Sequence, residues 1–144
     1  MKNSLYDRDF YAWANEQAAL LRAGRLAEAD IENIAEEIET MGRSEKRELV
    51  SRLTVLLLHL LKWQFQPSHR RISWQLSIQN ARDPLTDHLD DNPSLKSQLD
   101  QVMKSAYRRA ANDAAVETGL QRAAFPDASP YTFDQAMAHD FWPE

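Results

Sequence analysis

Leu53-Thr54-Val55-Leu56-Leu57-Leu58-His59-Leu60-Leu61 is the longest apolar run in the chain, and its reading decides the fold. Drawn as a helix, it is apolar nearly all the way round, which marks a central rod surrounded by other helices. Toward the N-terminus, Ile31, Ile34, Ile38, Met41, Leu49, Leu53, Leu56, Leu60 and Trp63 recur at three- and four-residue steps. That spacing predicts one long helix over about 30–65. Position 45 falls in the same series but holds Glu. Asp30, Glu32, Glu36, Glu37 and Glu39 stand near the start of this helix, while Lys62 stands in its last turn and Arg70 and Arg71 follow its end. This is the charge order a helix dipole favours. Gly42 is the weak point, since a mid-helix glycine costs roughly 1 kcal/mol relative to alanine. Ser44 offers a fresh N-cap there. One helix, bent at Gly42, is preferred over two, and Pro67 ends it.

The flanking segments also read as helices. Asp7 is expected to cap a first helix to about Ala23, striped by Phe10, Trp13, Ala14, Gln17, Leu20 and Leu21 and stopped at Gly24. Residues 25–29 form a short connection. Ile72-Ser73-Trp74-Gln75-Leu76-Ser77-Ile78 alternates like a strand, yet it also fits a helical stripe through Ala81, Leu85 and Leu89. No second segment offers a strand to receive its backbone hydrogen bonds, so helix is preferred. Pro84 is expected to kink or restart that helix near residue 83. Asn92-Pro93 should launch another helix to about Thr118, closed by Gly119, with an alanine-rich second half. Thr132-Phe133-Asp134-Gln135 has capping-box spacing and predicts a short helix to about Asp140. Phe141-Trp142-Pro143 is too apolar to stay in water and should pack back. The expectation is therefore an all-α single domain, residues 1–144: a compact helical bundle around one long central helix, with a short C-terminal helix packed on it.

Composition supports an ordinary soluble globular chain, with 43% hydrophobic and 27% charged residues. Its 144 residues can bury roughly 68–70% of the unfolded surface. The chain has no cysteine, which excludes disulfides, thiolate metal sites and cysteine nucleophiles. Met1 to Asp9 lack the apolar stretch of a secretory signal. The longest apolar run is about half of the ~20 residues that span a bilayer. Cytoplasmic residence without a membrane partner is the expectation. The net charge of −5 opposes phosphate-backbone binding. Charge is uneven, however. Residues 28–40 hold six acids and no base, while 43–71 hold seven bases against Glu45 and Glu48.

No catalytic motif stands out. None of His59, His69, His88 and His139 follows a Glu by three residues, so the paired Glu-x-x-His of carboxylate metal bundles is missing. No metal or other cofactor is assigned. A mixed site joining Glu36, Glu37 or Glu45 to His59 is disfavoured against a solvated acidic helix start. The chain has no Gly-x-Ser-x-Gly elbow, and its three glycines cannot build a phosphate-cradling loop. Glu45, Arg52 and His59 lie seven residues apart, with Glu48 one turn before Arg52. They form a candidate polar cleft in which His59 would titrate near neutral pH. The plainer reading is a Glu48–Arg52 i,i+4 pair beside a structural histidine, and it is preferred. Lys62, Arg70, Arg71 and Trp74 form a candidate surface-binding group that mixes cations with aromatics, as nucleic-acid grips do. Core tryptophans with surface arginines is the preferred account of that group.

Larger strings carry a resemblance. Glu36-Glu37-Ile38-Glu39 with Gly42-Arg43-Ser44-Glu45 is one, and Leu57-Leu58-His59-Leu60-Leu61-Lys62-Trp63 followed by Gln66-Pro67 and Ser73-Trp74 is another. With Glu117-Thr118-Gly119-Leu120, Phe125-Pro126, Pro130-Tyr131-Thr132 and Phe141-Trp142-Pro143, the chain over about 6–143 resembles the bacterial family called domain of unknown function 29. The resemblance implies a small, stand-alone, mostly helical protein of cyanobacteria or proteobacteria. It brings no catalytic or binding residue with it. Pro84 departs from the family pattern, in which a charged helix continues there. The favoured function is a non-enzymatic protein-interaction module, with a protein partner or self-association as a homodimer. The alternatives are a small-ligand or metal-dependent helical enzyme using the Glu45/Arg52/His59 row and, more weakly, nucleic-acid association through residues 62–74.

Overall fold

A computed structural model describes residues 4–144 of the chain. Of the N-terminal stretch read for a signal, Met1, Lys2 and Asn3 lie outside the described residues. The chain is all-α, with no strand among the described residues. Six α-helices follow in order: α1 Leu5–Arg8, α2 Phe10–Arg22, α3 Ile31–Phe65, α4 Ile72–Asp91, α5 Leu99–Thr118 and α6 Phe133–Met137. Two compact units divide the chain, one ending at Ser44 and the other running from Glu45 to Glu144.

In the first unit the predicted first helix is split. Asp9, not Asp7, is the cap, and its carboxylate accepts from Ala12 N at 3.0 Å. The Asp9 backbone (φ −149°, ψ 85°) is non-helical, so α1 is a separate turn. Gly24 sits at φ +72°, where a side chain would be strained, and closes the connection out of α2. Asp30 organises the start of α3. Its carboxylate accepts from Trp13 Nε1 at 3.1 Å and Asn33 Nδ2 at 2.7 Å, while its own N–H donates to Gln17 Oε1 at 2.7 Å. The Asn33 amide, more than Trp13, holds the Asp30 carboxyl below its ordinary range. Tyr6 donates to the Glu37 carboxylate, which pushes its phenol up to about 12. Of the predicted α2 stripe only Trp13 and Gln17 are buried.

Helix α3 is continuous across Gly42 for 35 residues. In the second unit its apolar run forms the core: Leu49, Leu53, Leu56, Leu57, Leu60 and Leu61 have no exposed surface. The run is not covered on every side, because Val55 is 46% exposed and opens one edge. Helix α4 supplies Ile78, Leu85 and Leu89, and α5 supplies Val102 with Ala106, Ala110, Ala111 and Ala114. Those alanines keep bulk off the packed face of α5, as its sequence predicts.

Three boundaries in this unit differ from expectation. Helix α4 runs unbroken through Pro84 to Asp91. The missing proline N–H frees the carbonyl of Asn80, an exposed residue, so water can take that bond. After Asn92 the chain forms a 3-10 helix over Pro93–Gln98 before α5 begins at Leu99. Gly119, at φ +75°, closes α5. The capping box forms at Thr132 and Gln135, each side chain bonding the other's backbone N–H at 3.1 and 3.0 Å. Helix α6 is one turn, ending at Met137 and not at Asp140. Trp142 packs against Trp63 with ring centroids 4.9 Å apart, and Phe141 packs edge-on to Tyr131 at 5.6 Å.

Candidate functional site

A polar cleft of about 470 Å³ opens between α3 and α4 in the second unit. Glu45, Glu48 and Arg52 face it from α3, at one-turn spacing that puts all three on one side of the helix. Pro84, Asp87, His88, Asp91 and Asn92 complete it from α4. Four carboxylates thus stand against one guanidinium. Arg52 donates through Nε and Nη2 to the same oxygen, Glu48 Oε1, at 3.1 and 2.9 Å. Glu48 Oε2 is left to face His88 Nδ1 at 3.4 Å. His88 Nε2 lies 2.8 Å from the backbone carbonyl of Glu45. The Glu45 carboxylate is turned the same way, with Oε2 3.6 Å from His88 Nε2 and 3.4 Å from Asn92 Nδ2.

The structure brings together Glu45, Glu48 and Arg52, and it leaves His59 out of the cleft lining. His59 instead bonds the Val55 carbonyl through Nδ1 at 2.8 Å, one turn back on its own helix. The histidine that joins the carboxylates is His88, which comes from another helix 43 residues on. Spacing along α3 cannot reveal it. The only local hint is the Asp87-His88 to Asp91 cluster, whose acids lie one turn apart beside it.

The second predicted group is assembled as a set of cation–aromatic contacts. Lys62 Nζ stands 4.8 Å from the Trp74 ring centre and pairs with Glu117 Oε1 at 3.0 Å. Arg71 approaches the same ring at 5.3 Å, and Trp74 itself is buried. Arg70 lies over Trp63 at 4.8 Å while donating to the Trp63 carbonyl at 2.7 Å and the Pro143 carbonyl at 3.3 Å. Intramolecular cations thus occupy both indole faces.

Arg82 escaped the sequence reading entirely. It has no exposed surface and donates to the carbonyls of Ala136 at 2.9 Å, His139 at 3.2 Å and Phe141 at 2.8 Å. Burial pulls its guanidinium below the usual arginine range, and Asp140 partly counters this. A signal did exist, because position 82 continues the buried Trp74–Ile78–Leu85–Leu89 stripe.

The family model described as "Domain of unknown function DUF29" matches residues 5–142 of the chain. No curated protein and no solved structure gives a match.

Proposed function

The chain belongs to the DUF29 family, and we propose that it acts as a helical interaction protein that pairs with a second copy through the first half of α3. One observation carries this reading. Among its described residues, the unit ending at Ser44 exposes Phe10, Tyr11, Leu21, Leu26, Ile31, Ile38 and Met41 while burying only Trp13 and Gln17. A helical hairpin with so small a core leaves its apolar faces free for another surface.

Ile31 and Ile38, both more than half exposed, stand seven residues apart and so share one stripe of α3. Glu32, Glu36, Glu39, Arg43 and Arg47 fall on the side of α3 turned away from this stripe, where Arg43 pairs with Glu36 and Glu39 of its own chain at 3.6 and 3.8 Å. A two-fold pair would cover the stripe of each copy with the same stripe of the other. Gly42, with nothing within 4 Å of where a Cβ would stand, lets a facing helix approach closely. No helix among the described residues is long and apolar enough to cross a membrane. The covered indole faces at Trp63 and Trp74 withhold support from base stacking, so nucleic-acid association stays the weaker reading.

Light scattering coupled to size exclusion tests the proposal. The wild-type chain should run as a dimer at about 100 µM, and Ile38→Glu should run as a folded monomer. A wild-type protein that stays monomeric at that concentration, or an Ile38→Glu protein that still dimerises, would overturn it.

A further inference from the structure

His88 is buried, with 8% of its side chain exposed, and its two ring nitrogens have unlike surroundings. Nε2 lies 2.8 Å from the Glu45 carbonyl, which can only accept a hydrogen bond, so the ring proton of neutral His88 belongs on Nε2. That leaves a lone pair on Nδ1, and it faces Glu48 Oε2, a second acceptor, at 3.4 Å. A positive centre beside both acceptors would offset their mutual repulsion. A proton shared by an imidazolium and a carboxylate would draw the atoms to about 2.7–2.9 Å. The observed separation is longer. It matches the edge of a tetrahedron with metal–ligand bonds of about 2.0–2.1 Å, which is roughly 3.4 Å.

The remaining features agree with a cation. A His88 nitrogen and one carboxylate oxygen each from Glu45 and Glu48 all lie within 4.8 Å of one another. The Glu45 carboxylate stands 3.6 Å from Nε2, the protonated nitrogen, and its side chain is half exposed, so joining an ion on the Nδ1 side takes a rotamer change of Glu45. The bond from His88 Nε2–H to a backbone carbonyl is the outer-shell contact that orients metal-ligating histidines and fixes their tautomer. Among the described residues, Arg52 is the one arginine or lysine that lines the cleft. Both of its bonds go to Glu48 Oε1, so Oε2 stays available, and Asp87 and Asp91 add negative potential to the same cleft.

We propose that Glu45, Glu48 and His88 bind a divalent transition-metal ion of the zinc class. One imidazole and two carboxylates form a mixed nitrogen and oxygen donor set suited to such ions. Three protein ligands leave one tetrahedral position for water, as in zinc sites that act on substrates and unlike closed structural ones. The site lies wholly within the second unit and is independent of the pairing proposed above.

Calorimetric titration of the full chain with ZnCl2 is the test, alongside Glu48→Gln and His88→Gln. Glu48 is half-exposed, so its amide variant should fold. The glutamine at 88 retains an N–H donor for the Glu45 carbonyl. The wild type should bind one ion, and each variant should bind about 10-fold or more weakly. CoCl2 should give the intense visible bands of a tetrahedral ion in the wild type and not in His88→Gln. The proposal falls if the wild type shows no saturable binding up to about 1 mM. It falls equally if Glu48→Gln, folded by circular dichroism, binds like the wild type, or if the cobalt spectrum remains that of the hydrated ion.

Discussion

The Arg82 guanidinium donates from Nη2 to the Phe141 carbonyl at 2.8 Å, joining α4 to a segment 59 residues further along the chain. Its other nitrogens bond the Ala136 and His139 carbonyls, so Arg82 holds the chain from α6 to Phe141, and Arg70 bonds the Pro143 carbonyl beyond it. Trp142 lies beneath the same guanidinium at 5.6 Å. This link explains why Phe141 and Trp142 dock on the second unit.

Arg82→Ala should therefore destabilise the second unit strongly. It removes three charge-assisted hydrogen bonds and leaves the carbonyls without donors, a loss of about 3 kcal/mol or more. Arg82→Lys keeps the charge but not the planar fork and should recover only part of the loss. Urea unfolding followed by far-ultraviolet circular dichroism measures both.

Leu57 and Val55 provide a matched pair on one helix. Leu57 has no exposed surface, and Leu57→Ala should cost about 3 kcal/mol through lost burial and the cavity left behind. Val55 is nearly half exposed, and Val55→Ala should cost well under about 1 kcal/mol. Equal costs at the two positions would contradict the packing described for α3.

Acid should loosen the first unit. The Asp30 carboxyl is held below its ordinary value of 3.8 by Asn33 and Trp13 in the folded state. Its contribution to stability is thus fully present above the unfolded-state value and is lost as pH falls through the folded one. The Trp13 indole N–H resonance, bonded to Asp30, should shift along that acid limb. Asp30→Ala should abolish the pH-dependent shift and cost about 1 kcal/mol at neutral pH through the lost cap.

The glycines should separate by backbone conformation. Gly119 has φ +75°, so Gly119→Ala forces a left-handed alanine and should cost about 1 kcal/mol. Gly42 lies inside a continuous helix with open space around it, so Gly42→Ala should stabilise α3 by up to about 1 kcal/mol. Thermal unfolding of the two variants should move the midpoint in opposite directions.

Much of the architecture was readable from local pattern. The 3.6-residue periodicity of Ile31 to Trp63 marks α3, and Thr132 with Gln135 marks α6, because these signals lie within a few turns of one another. The miss at the first helix arose where two acids two residues apart both suit a cap, and the backbone turn at Asp9 decided between them. The continuous α4 arose because Pro84 frees a carbonyl on the wet side of the helix, where the lost bond costs least.

The candidate site was legible by half. Glu45, Glu48 and Arg52 share one helix, so spacing alone puts them on one side. His88 reaches them from α4, and no periodicity within either segment encodes which residues of two packed helices meet.

By itself the amino-acid order determined an all-α chain, a long α3 with an apolar centre, and a charge distribution that turns from acidic to basic along it. Tertiary structure alone decided that His88 and not His59 stands beside Glu48, that Arg82 is buried against backbone carbonyls, and that Ile31 and Ile38 remain uncovered. The physical reason is range. Helix formation is written in contacts three and four residues apart, whereas donor geometry and burial depend on neighbours tens of residues away that are chosen only when the helices pack.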